Sequence, residues 1–91
     1  MRVKLLGKWW KLLFIPMYFR GECDPPNTKG KEIRIRKTLR GEERLEVLIH
    51  ESLHAVNWSL DEEHVNEISQ DIARLLWRLN YRSLDEIMGQ S

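Results

Sequence analysis

Only one of the 91 residues is a cysteine, Cys23, so no disulfide within the chain can hold it together, and a lone thiol suits a reducing compartment. A cytoplasmic location is the resulting expectation. Also missing is any apolar run long enough to cross a membrane. The most apolar stretch lies at the start, where Lys8 and Lys11 interrupt it. Its unbroken part, Leu12 to Phe19, is short and contains Pro16, and no small-residue cleavage site follows, so it reads as mature protein and not as a secretion signal. Internal repeats and low-complexity segments are absent too. The three prolines and five glycines are too few for a linker or a repetitive structure.

What is present is enough for one domain, residues 1–91, with four Trp, two Phe and two Tyr among its apolar residues and a monomer as the default. Net charge is close to zero, yet the halves differ. Residues 1–44 carry twelve Lys and Arg against five acids, and residues 45–91 carry three against nine. The basic half, with Trp9, Trp10, Tyr18 and Phe19 interleaved, is compatible with nucleic-acid contact. Its cations are spread singly, however, as on an ordinary solvated strand face.

Trp9 to Ile15 suits a strand ending at Pro16. Gly21 to Gly30, with two prolines and Asn27, forms a loop. Glu32-Ile33-Arg34-Ile35-Arg36 alternates polar with β-branched residues and is the clearest strand. Its expected partner is the segment around Leu12 to Phe19, returned antiparallel by the proline loop. After Gly41 the pattern turns helical, with Leu45, Leu48, Ile49, Leu53 and Val56 on one stripe. The break is Asn57-Trp58-Ser59-Leu60, after which Ser59 and Glu62 read as a capping box opening a second helix. Val65, Ile68, Ile72, Leu75, Leu76 and Leu79 give that helix an apolar face to about Asn80, and Leu84 to Met88 suggests a last short turn. The expected fold is α+β, a small antiparallel sheet packed on two long antiparallel helices.

Within the first helix stands His50-Glu51-Ser52-Leu53-His54. At i and i+4 both imidazoles project from one helix face and can reach one Zn²⁺, while Glu51 lies where it can take a proton from water held at the metal. A catalytic zinc site needs a third protein ligand. With a turn near Ser59, the residues level with the histidines come from the start of the second helix. Glu62, Glu63, His64 and Glu67 are the candidates. His64 is favoured by ligand softness and by its phase close to the apolar stripe; acids at that position also need no metal, because a helix N-terminus stabilises them. Cys23, in a turn-like stretch without a second cysteine nearby, reads as a plain loop thiol.

The runs Gly21-Glu22-Cys23-Asp24-Pro25-Pro26, Ile33-Arg34-Ile35 and Leu45 to Ala55, with His-Glu-x-x-His inside the last, resemble the small zincin metallopeptidases. The likeness is to the compact phage-type and SprT-like members, and it covers about Arg20 to Leu79. It implies a zinc-dependent peptidase in which Glu51 is the general base and the substrate is a peptide or protein. Its gluzincin members carry a glutamate ligand on the following helix, which by position matches Glu63, giving His50, His54 and Glu63 as the metal set with His64 as the alternative. The chain lacks the H-x-x-G-x-x-H extension of metzincins and has no room for a second lobe. Expected accessory features are an exposed edge at Lys31 to Lys37 for an extended substrate, Arg34 and Arg36 beside it, and Tyr81 or His64 to assist the oxyanion. The alternative readings are a zinc-stabilised binding or inhibitory module with little hydrolysis, and a nucleic-acid-associated protein using the basic half.

Overall fold

The computed structural model describes residues 1–83 and Glu86. Strands β1 (Arg2–Leu5), β2 (Lys8–Ile15), β3 (Gly21–Cys23) and β4 (Glu32–Arg36) are followed by helices α1 (Gly41–Val56) and α2 (Glu62–Arg78). The α+β class holds. Of the suggested turn at Leu84 to Met88 only Glu86 is among the described residues, its N–H reaching the Ser83 carbonyl.

The sheet differs from the expected one. Its order is β1-β2-β4-β3, and β2 pairs with β4 in parallel, Leu12 opposite Ile33 and Phe14 opposite Ile35. The sheet is therefore mixed and not antiparallel. Leaving β2 at Ile15, the chain crosses to the far edge and forms β3. The proline loop then returns it between β3 and β2, so that loop joins β3 to β4, with Cys23 opposite Ile33. As a result β4 is an interior strand, and the edge expected at Lys31 to Lys37 is already paired on both sides. The free edges belong to β1 and β3.

Alternation along β2 and β4 sends Trp10, Leu12, Ile33 and Ile35 to the helix side, where they form the core with Leu39, Val47 and Ala55. On the same strand Arg34 alternates to the opposite side from Ile33 and Ile35. There it donates to Asp24 at 2.8 Å, Glu32 at 3.0 Å and Glu22 at 3.2 Å. These bonds clamp the proline loop to the sheet. The Arg34 guanidinium holds the Asp24 carboxyl below the usual carboxylate range, and Asp24 in turn accepts from the Glu32 backbone N–H at 2.9 Å. Arg34 is thus committed to three carboxylates, and Arg36 donates to the Tyr18 carbonyl at 2.9 Å. Neither is placed to flank a bound peptide as expected.

Helix α1 packs between the sheet and α2. Its first residue, Gly41, has φ +66° and lies against the Trp77 ring at the end of α2, while its last turn faces the start of α2, so the helices run antiparallel. Burial follows a different phase from the one expected. The deepest positions on α1 are Val47, Glu51 and Ala55, and on α2 they are Val65, Ser69 and Ala73. Three of these positions hold small side chains, Ala55, Ser69 and Ala73, and the Ser69 hydroxyl is satisfied by the Val65 carbonyl at 2.7 Å. Asp61, not Ser59, caps α2 by accepting from the His64 N–H at 3.1 Å; Ser59 instead donates to Asn57. At the other end Asn80, φ +65°, closes the helix in a Schellman arrangement, the Tyr81 N–H reaching the Leu76 carbonyl.

The β1–β2 hairpin turns on Leu6 and Gly7, with φ 47° and 75°. Two positive φ values in a two-residue turn are a type I′ signature, which favours Asn-Gly. Leu6 is 76% exposed, so its side chain gains little there in return for the strained backbone. Leu6→Asn is expected to stabilise the fold by about 0.5–1 kcal/mol, raising Tm by ~2–8 °C in a domain of this size. An unchanged or lower melting temperature in differential scanning calorimetry contradicts this account of the turn.

Candidate metal centre

His50 and His54 stand one helical turn apart on α1, both half-buried. The chain leaves α1 at Asn57, whose N–H reaches the Leu53 carbonyl, and turns so that the Leu60 N–H reaches the Asn57 carbonyl. Asp61 then starts α2 with Glu62 as its first helical residue. This short path delivers the Glu62 carboxylate to both imidazoles. Its two oxygens lie 2.9 Å from His50 Nε2 and 2.9 Å from His54 Nε2.

The two Nε2 atoms are themselves 3.2 Å apart. Each nitrogen faces a different oxygen of the same carboxylate. The separation matches a metal site well. Two Zn–N bonds at a tetrahedral angle span an edge of about 3.3 Å, and His50, His54 and Glu62 form a group whose ligand atoms lie within 4.8 Å of one another. Burial, its largest cause, and the neighbouring His54 lower the pKa of His50, against the pull of Glu62. The lowered value favours the neutral ring that binds metal.

The same cleft is lined by Gly21 and Cys23 from β3, by Glu51, and by Trp58, Leu60 and Glu62 from the connection and the start of α2. Glu51 is 7% exposed. Burial first, then the charges of Glu62 and Glu22, push its carboxyl up to about 7. Among the described residues its carboxylate makes no hydrogen bond or ion pair, and the residue lines the cleft. The Cys23 thiol is pushed up to about 12 by burial and by Glu51 and Asp24. It therefore stays protonated, and it stands outside the group of ligand atoms.

His50, Glu51 and His54 thus meet as the spacing predicts, but the acid delivered to them is Glu62. Glu63 and His64 are exposed and do not line the cleft, and Glu67 lies a turn further along the exposed side of α2. Tyr81 follows the far end of α2, away from Glu62. No pattern of residues signals the contribution of Gly21, whose absent side chain is what admits β3 to the site. A Cβ there would lie 2.8 Å from Val47 Cγ1 and 3.0 Å from Glu51 Cγ. Gly21→Ala is expected to destabilise the protein by about 1–3 kcal/mol through overpacking, measured by urea unfolding. An unchanged midpoint shows that β3 does not rest on α1 this closely.

No family model, no curated protein and no solved structure matches this chain, so the functional reading rests on the geometry of the site.

Proposed function

We propose that the protein is a zinc-dependent metallopeptidase, with His50, His54 and Glu62 as the metal ligands and Glu51 as the general base. The observation that carries this reading is the convergence of two imidazole nitrogens and one carboxylate beside a buried glutamate that makes no hydrogen bond or ion pair among the described residues. Two imidazoles and a carboxylate suit zinc and leave a fourth position for water or substrate. When bound, the metal supplies Lewis acidity that polarises a carbonyl and acidifies water.

The chain's own groups do the rest. Glu51 takes the proton from the attacking water and passes it to the leaving amine. Its seat against Gly21 fixes the side chain, and its place in the lining of the cleft lets it reach a water there. An extended peptide fits the open edge of β3, which pairs only with β4 and borders the cleft through Gly21 and Cys23; unpaired backbone groups on such an edge accept a further strand. This replaces the interior strand β4 as the substrate platform.

Metal binding is tested by titrating chelator-treated, tag-free protein with Zn²⁺ in a calorimeter. One equivalent is expected, with a rise in Tm because the ion binds the folded state. Glu62→Ala should weaken binding ~100-fold or more, whereas Glu63→Ala and His64→Ala should stay near wild type. Zinc retained by Glu62→Ala and lost by either neighbour removes Glu62 from the site.

Catalysis is tested separately. Glu51→Gln should keep the metal and the fold yet lower hydrolysis of an unfolded protein substrate by ~10²–10⁴. A fully metallated wild type that cleaves no peptide library marks the site as a metal-stabilised binding module instead.

A further inference from the structure

Helix α2 carries more apolar surface than the fold uses. Burial falls on Val65, Ser69 and Ala73, yet Ile68, Ile72, Leu75 and Leu79 make a second stripe beside that face, at spacings of four, three and four. Ile68 is half-buried, while Ile72 is 38%, Leu75 58% and Leu79 60% exposed. This spacing is that of the a and d positions of a heptad seam. A solvated helix face has no reason to keep it.

We propose that this stripe is the interface of a homodimer, formed when α2 packs antiparallel against α2 of a second copy about a two-fold axis. The charges flanking the stripe select that occupant and that orientation. Asp71 and Arg78 lie seven residues apart along one edge of it, at successive g positions, and in an antiparallel pair g faces g. With Ile72 set opposite Leu75 of the second copy, and Ile68 opposite its Leu79, the register brings Asp71 beside Arg78 of the second copy. The symmetry repeats the pair. Asp71 is free to turn, because its present pairing with Arg74 at 3.3 Å is between exposed side chains.

The distribution of charge along the helix points the same way. In the stretch that the two copies share in this register, Ile68 to Leu79, the acid Asp71 precedes the cations Arg74 and Arg78, while Glu62, Glu63 and Glu67 lie beyond it. An antiparallel pair sets acid against base and opposes the two helix dipoles, whereas a parallel pair aligns like with like. The patch is thereby self-complementary, as a two-fold interface requires. The inference is independent of any metal.

Sedimentation equilibrium of the full chain from about 1 to about 500 µM, the range in which a one-helix seam dissociates, should show a monomer–dimer equilibrium. Leu75→Lys should raise the dissociation constant roughly 10-fold or more. The single reversals Asp71→Arg and Arg78→Asp should each raise it roughly 5-fold. Combining both reversals in one chain, or mixing the two single variants, should restore association. All three side chains are at the surface, so circular dichroism should report an unchanged fold. A wild type that stays monomeric throughout overturns the proposal, as does a dimer indifferent to Leu75→Lys. Association weakened by each reversal but not restored by the double one rules out the antiparallel register.

Discussion

Helix α1 has no free flank. From Arg44 to Val56 every residue is buried or half-buried, because the sheet covers one side and α2 the other. A polar side chain in such a helix must find a partner or bear a cost of a few kcal/mol. Arg44 lies over the Phe14 ring, Glu46 meets Arg20, and the two histidines share Glu62. Of the charged residues in that stretch, Glu51 alone is left without such a partner among the described residues. Confinement of α1 thus does two things at once: it fixes the side chains of the site and leaves one acid with its chemistry unspent.

Confinement also explains what the sequence could reveal. His-Glu-x-x-His is legible because it requires only helical spacing, and the alternation of Glu32 to Arg36 announces β4 whatever lies beside it. The buried faces of the helices are not legible in the same way. When a helix is covered all round, its large apolar residues stop marking one direction. On α1 a deepest position then falls to Ala55, and on α2, where α1 covers a single face, to Ser69 and Ala73; hydrophobic patterning singles out none of the three. Strand order is hidden for another reason. β3 is three residues, Gly-Glu-Cys, with no alternation to read, and without it the proline loop looks like a direct return from β2 to β4.

Which acid joins the two histidines depends on where α2 begins. Reading Ser59 as the cap starts α2 two residues early. The true cap, Asp61, makes Glu62 the first residue of the helix, and each position displaced rotates a side chain by about 100°. The carboxylate that reaches both imidazoles is therefore set by capping geometry, a property that composition and spacing leave open between Asp61 and Ser59.

The position of Glu62 has a kinetic side as well. His50 and His54 are anchored in the middle of a covered helix, but Glu62 sits on an opening turn with its side chain 66% exposed. Helix ends open far more readily than helix centres. An ion held by the three groups would be released by fraying of one turn, with the core intact, so its residence time is governed by the Asp61 cap and not by global unfolding. The fold supplies two rigid jaws and one hinged latch.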